Sequence, residues 1–151
     1  ATQSTALVIN TTAGVTNNNV LRADGGTLVL QNTVFNQGAS GRLDAINGSV
    51  VQLSGASVTG GSFTTAGGGA IATAAGTTSN LSGVTNSGTL NIVNNSALQL
   101  DGSLTNNGAV NMQSVGNFTD IIINGARTID GTGVINLSNN AQNRLYGAGG
   151  R

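Results

Sequence analysis

The chain has 151 residues, of which only 7% are charged, and its five basic and five acidic side chains cancel to a formal net charge of zero. All five bases are Arg and all five acids are Asp, while His, Cys, Pro, Trp, Lys and Glu are absent. These absences exclude imidazole and thiolate chemistry, ordinary zinc sites, Schiff bases and the lysine of a phosphate loop. The neutral balance argues against a basic nucleic-acid groove, and the lack of a long apolar run argues against a helix that spans a membrane.

Gly, Asn, Thr and Ser supply 77 of the 151 residues, yet hydrophobic residues make up 38% and mean hydropathy is slightly positive. Disorder needs low hydrophobicity with high net charge, so this composition points to a folded chain. Gly, Asn, Thr and Ser are poor helix formers, so the fold is expected to be built from strands. The start Ala1-Thr2-Gln3-Ser4 lacks the basic and apolar stretches of a signal peptide.

In chain order, residues 1–19 read as an irregular first coil or N-terminal strand around Leu7, Ile9 and Val15. Residues 20–146 then repeat a short pattern, Gly-x-apolar-x-apolar. Its copies are Gly26-Thr-Leu28-Val-Leu30, Gly48-Ser-Val50-Val-Gln52, Gly69-Ala-Ile71-Ala-Thr73, Gly88-Thr-Leu90-Asn-Ile92, Gly108-Ala-Val110-Asn-Met112 and Gly133-Val-Ile135-Asn-Leu137. The marker glycines are spaced by 22, 21, 19, 20 and 25 residues. An apolar residue precedes each copy: Leu21, Leu43, Phe63, Val84, Leu104 and Ile129. A further strand closes two of the units at Asx-Gly turns, Leu98-Gln-Leu100-Asp101-Gly102 and Ile121-Ile-Ile123-Asn124-Gly125. Residues 147–151 form a Gly-rich tail.

Within each strand the apolar residues alternate, so Leu90 and Ile92 point one way and Asn91 the other. A unit of about 21 residues with several short strands cannot close a core alone, and stacking successive units solves that. The expected fold is one all-β domain, a parallel β-solenoid of the right-handed β-helix kind with six to seven coils, the hand following from the general crossover preference. At about 4.8 Å per coil it is a rod roughly 34 Å long.

Stacking assigns roles to the polar residues. Asn86 is expected beneath Asn106, as a ladder of side-chain amides along the axis. Arg22, Asp24, Arg42 and Asp44 repeat Arg and Asp at a spacing of 20 and are expected to pair diagonally across neighbouring coils as a structural ladder. On the outward face, Val29, Val51 and Ala72 on early coils give way to Asn91, Asn111 and Asn136 on late ones. This is the candidate interaction face, with a covering strand or subunit on the early coils, or polysaccharide on the Asn/Thr surface, as its occupants.

No catalytic, cofactor-binding or metal-ligating set emerges. Asp24, Asp44, Asp101, Asp120 and Asp130 are isolated in sequence, whereas glycoside hydrolysis needs two facing carboxylates. Gly67-Gly68-Gly69 lacks the Asp of the calcium-binding solenoid motif, and six Asn-x-Ser/Thr triplets are near the about four to five that this composition gives by chance. Neither terminus reads as a charged or helical cap, so the expected partners are a second copy or flanking coils of a longer chain.

Three stretches, Val84-Thr-Asn-Ser-Gly-Thr-Leu-Asn-Ile, Leu98-Gln-Leu-Asp-Gly-Ser-Leu-Thr-Asn-Asn-Gly and Gly131-Thr-Gly-Val-Ile-Asn-Leu, make the repeats resemble the large secreted β-helical adhesins of Gram-negative bacteria. These are the filamentous-haemagglutinin-like exoproteins and autotransporter passenger domains. The resemblance covers roughly residues 20–146. It implies secretion, an extracellular or bacterial cell-surface location, and a non-enzymatic role in attachment or biofilm as a stalk segment or fibre subunit.

Overall fold

Short alternating segments broken by Gly and Asn build three faces rather than one broad sheet. The computed structural model describes residues 5–149, so the Ala1–Ser4 start and the last two residues of the Gly-rich tail lie outside the description. Sheet 1 contains β1 (Leu7–Ile9), β4 (Thr27–Gln31), β7 (Val50–Ser54), β10 (Ala70–Thr73), β13 (Thr89–Val93), β16 (Ala109–Gln113) and β19 (Val134–Leu137), hydrogen-bonded in that order. Sheet 2 contains β2 (Val15–Asn17), β5 (Val34–Gln37), β8 (Ser57–Thr59), β11 (Thr78–Ser82), β14 (Ala97–Leu100), β17 (Thr119–Ile123) and β20 (Asn143–Gly147). Sheet 3 contains β3 (Val20–Asp24), β6 (Arg42–Ile46), β9 (Ser62–Thr65), β12 (Val84–Asn86), β15 (Leu104–Asn106) and β18 (Ile129–Asp130).

The chain visits the three sheets in rotation, and every strand pairs in parallel with its counterpart one coil away. This is a parallel β-solenoid of about six turns, with successive equivalents some 22 residues apart. Coiling is already regular at Leu7, which pairs with Leu28, and Gly147 still belongs to β20.

Inward residues stack in single file. Leu28, Val51, Ile71, Leu90 and Val110 form one rank of sheet 1, and all are at most 1% exposed. Across the bore, Phe35, Val58, Leu81 and Leu100 do the same in sheet 2. Each fully buried aliphatic contributes about 1.5–3 kcal/mol relative to an exposed one. Because a parallel strand pair continues its hydrogen bonds to the next coil, the ranks and the backbone ladder reinforce one another.

Left-handed residues turn the corner from sheet 1 to sheet 2. Asn32 (φ 47°) and Asn95 (φ 63°) occupy it on two coils, and Gly76 on a coil between them donates its N–H to the Asn95 carbonyl at 2.6 Å. Asn is the non-glycine residue that tolerates this region best, which explains part of its abundance.

Two alignments of the repeats differ from the sequence reading. In the second coil Val51, not Val50, enters the core, because Val50 pairs with Thr27 and Val51 with Leu28. Ser49 therefore stands at the marker position, its carbonyl accepting from Ala70 N at 3.0 Å, and Gly48 (φ 70°) lies in the preceding turn. In sheet 3, Phe63 pairs with Asn86 instead of Val84, so a rank that begins as Leu21, Leu43 and Phe63 continues as Asn86 and Asn106.

Candidate functional site

The amide ladder occupies the corner between sheets 3 and 1. Asn86 Nδ2 donates to Asn106 Oδ1 at 2.8 Å, and Asn106 Nδ2 donates on to the Val134 carbonyl at 3.0 Å. Asn86 Oδ1 accepts from Gly88 N at 3.3 Å. Both side chains are buried, so the ladder satisfies backbone and amide groups where water does not reach. It is structural, with no group left over to meet a ligand.

The charged ladder differs from the diagonal arrangement. With a local spacing of 22, Arg22 lies directly opposite Asp44, and its Nε donates to Asp44 Oδ2 at 2.6 Å. Thr64 Oγ1 from the next coil donates to Asp44 Oδ1 at 2.8 Å, which completes a partnered and buried carboxylate. Asp24 instead accepts from Asn47 Nδ2 at 2.8 Å, and Arg42 sits opposite Val20 with its Nε buried and without an acceptor.

The outward file of sheet 1 runs Val8, Val29, Gln52, Ala72, Asn91, Asn111 and Asn136. Val51 does not belong to this face: it is 0% exposed, and Gln52 takes the position expected for it. Asn111 Nδ2 donates to Asn91 Oδ1 and Asn136 Nδ2 to Asn111 Oδ1, each at 2.9 Å. The amides thus hydrogen-bond along the axis, and what they offer outward is correspondingly reduced.

The remaining acids do not face one another. Asp101, after β14, accepts from Gln99 Nε2 at 2.8 Å and Asn124 Nδ2 at 2.7 Å, and Asp130 is exposed at the end of β18. Among the described residues no three acids cluster as metal ligands.

Asp120 is different. It lies on the outward side of β17 between Ala97 and Arg144, only 7% exposed. Arg144 approaches it side-on, with Nε donating to Oδ1 at 2.8 Å and Nη2 to Oδ2 at 2.7 Å, and Tyr146 Oη donates to Oδ2 at 3.2 Å. The guanidinium also lies over the Phe118 ring, 3.5 Å from its centroid, and 5.4 Å from that of Tyr146. The hydrogen bond to Asp120 is the main reason that the Arg144 pKa is raised above its ordinary value.

A cleft of about 270 Å3 opens beside this cluster, with Gly76, Thr77 and Thr78, then Asn95, Ser96 and Ala97, as its floor and Phe118, Asp120 and Arg144 as its wall. Loop length creates it. Beneath the cleft the connection from sheet 1 to sheet 2 is four residues long at 74–77 and three at 94–96, but it is five at 114–118 and 138–142. The longer turns overhang the earlier coils, and Ala97 and Thr78 below Asp120 are too small to fill the space.

The overhang is braced. Asn94 Oδ1 accepts from Val115 N at 2.9 Å and Asn117 N at 3.0 Å, and Ser114 Oγ donates to the Asn117 carbonyl at 2.7 Å. Sequence reasoning treated Asp120 as an isolated acid and missed this site. Its available signals were the two longer turns and the placement of two of the four rings, Phe118 and Tyr146, beside Asp120 and Arg144.

The fold and its surfaces therefore define a β-solenoid with hydrogen-bonded internal ladders and a cleft beside Asp120 and Arg144. In comparisons with protein families, curated proteins and solved structures, the chain matches none.

Proposed function

We propose that this chain is a non-enzymatic structural length of β-solenoid, a fibre subunit or stalk segment whose ends join further coils. The supporting observation is that both ends carry the same three parallel edges and uncovered core ranks. At one end Leu7, the continuation of the Leu28 rank, is 56% exposed; at the other Leu137 and Leu145 are 62% and 55% exposed. Among the described residues no helix or charged strand covers these edges. Edges of this kind template pairing, and a head-to-tail contact of unlike ends does not close on itself.

The joining coils belong to a second copy or to flanking sequence of a longer polypeptide. The extracellular or cell-surface location and the attachment role rest on the resemblance to secreted β-helical adhesins carried by residues 84–92, 98–108 and 131–137. Negative-stain electron microscopy with sedimentation across a concentration series tests the reading. Rods of constant width that lengthen with concentration are expected, shortened by Leu7→Asp or Leu137→Asp. A companion tandem fusion of two copies is expected to melt once, above the single copy. Monomers at every concentration, together with a fusion that melts at the single-copy temperature, reject it.

A further inference from the structure

We infer that the flank cleft binds a neutral sugar unit of a glycan, hydrogen-bonded to Asn95, Thr78 and an Arg144 guanidinium held in place by Phe118 and Asp120. The inference does not rest on end-to-end joining: eight of the nine cleft-lining residues precede β19, although Arg144 stands on the edge strand β20.

Unused bonding capacity carries the argument. Asp120 occupies Arg144 Nε and one Nη2 hydrogen, and among the described residues neither Nη1 nor the second Nη2 hydrogen has an acceptor. These remaining donors form the end-on fork of the guanidinium, which suits two neighbouring oxygens. The Phe118 ring and the bidentate Asp120 hold the fork in one plane before any ligand arrives. The side chains of Asn95 and Thr78, both exposed on the cleft floor, likewise have no partner among the described residues. Together they offer donors and acceptors.

Charge selects among ligands. Arg144 and Asp120 cancel, so a carboxylate or phosphate entering the cleft meets the Asp120 charge nearly as closely as the guanidinium. Hydroxyl groups carry no such penalty, and each both accepts and donates, so a vicinal diol can take the Arg144 fork while donating to Asn95 Oδ1 or Thr78 Oγ1. Phe118 serves the site through Arg144: the guanidinium stands over the ring face, 3.5 Å from its centroid, so the ring fixes the fork rather than stacking on the sugar itself. The volume, about 270 Å3, falls just below the roughly 300–1,000 Å3 of sites for drug-sized ligands and suits one ring. The bracing by Asn94 and Ser114 means that the loop is ordered without ligand, so little binding energy is lost in fixing it.

The test is saturation-transfer NMR and titration calorimetry on the intact chain with gluco-, manno-, galacto- and N-acetylglucosamine oligosaccharides, alongside oligogalacturonate as the anionic arm. At least one neutral series is expected to bind. Phe118→Ala, which frees the Arg144 fork, is expected to weaken it by about tenfold or more, with the chain still folded at the temperature of the titration. Thr78→Val is expected to weaken it less, and Asn111→Ala on the other face to leave it unaltered. Failure of every neutral series, binding confined to oligogalacturonate, or undiminished binding by Phe118→Ala would each overturn the inference. A chain that stays monomeric, with a tandem fusion that melts at the single-copy temperature, yet loses sugar binding in Phe118→Ala refutes end joining and leaves the cleft standing.

Discussion

Replacing Asn106 with Ala tests whether the buried amide ladder holds the corner between sheets 3 and 1. The substitution removes the acceptor of Asn86 Nδ2 at 2.8 Å and the donor to the Val134 carbonyl at 3.0 Å. Asn86 is 0% exposed, and its Nδ2 keeps only long bonds to the Gly88 carbonyl at 3.3 Å and the Ala109 carbonyl at 3.4 Å. Stranding a buried donor costs about 1–3 kcal/mol. The void left by the amide adds to that cost, whereas the Val134 carbonyl belongs to a half-exposed residue and can turn to water.

The expected loss is about 2–4 kcal/mol, which for a chain of this size lowers the melting midpoint by roughly 4–16 °C. Urea unfolding followed by circular dichroism measures it. Amide exchange at Asn107 and Gly133, whose N–H groups donate to the Asn86 and Asn106 carbonyls at 2.7 and 2.8 Å, reports whether the loss is local to the corner. Asn86→Ala strands Asn106 Oδ1 in the same way, so the double variant should show a coupling of about 1 kcal/mol or more. Single losses below about 0.5 kcal/mol, or a double variant equal to the sum of the singles, would refute the reasoning.

Three further outcomes follow from the packing. Gly108→Ala places a Cβ against the Gly88 carbonyl oxygen of the coil below, and because that neighbour is backbone the coil must shift. Gly76→Ala meets nothing within 4 Å and carries only the cost of φ 76°, about 1–2 kcal/mol; denaturant midpoints should therefore rank Gly108→Ala as the worse. Leu90→Ala empties a fully buried position and is expected to cost about 2–5 kcal/mol, against under about 1 kcal/mol for Asn111→Ala on the outward ladder, both read from urea unfolding. Arg144 has a pKa raised by Asp120, so its contribution to stability is fully present below its ordinary value and is lost only as pH climbs past the raised one. Stability curves of the native chain and Arg144→Gln should accordingly run parallel between about pH 7 and 9, and a step confined to the native chain there would contradict the assignment.

The second coil shows where pattern reading stops. Val50 and Val51 are equally suited to a core, and alternation alone gives two phases that differ by one residue. Pairing with Leu28 on one side and Ile71 on the other selects Val51, because only that phase keeps the inward rank continuous. Phe63 and Asn86 tell the same story: a local apolar-versus-amide comparison aligned Phe63 with Val84, whereas hydrogen-bond register across coils places it under Asn86. The elastic spacing of 19 to 25 residues also concealed that Asp120 and Arg144, 24 apart, are neighbours.

Composition and period by themselves determined that the chain folds without helices, that short strands stack in parallel, and that Gly and Asn take the corners, since each of these follows from residue-local preferences repeated along the chain. Tertiary structure alone decided which residue of each coil meets which in the next, because register is a property of pairs and not of segments. The flank cleft belongs to that second kind. It exists because two corners lengthen over two that stay shorter, and because Arg144 reaches back to an acid and a ring from the coil before it.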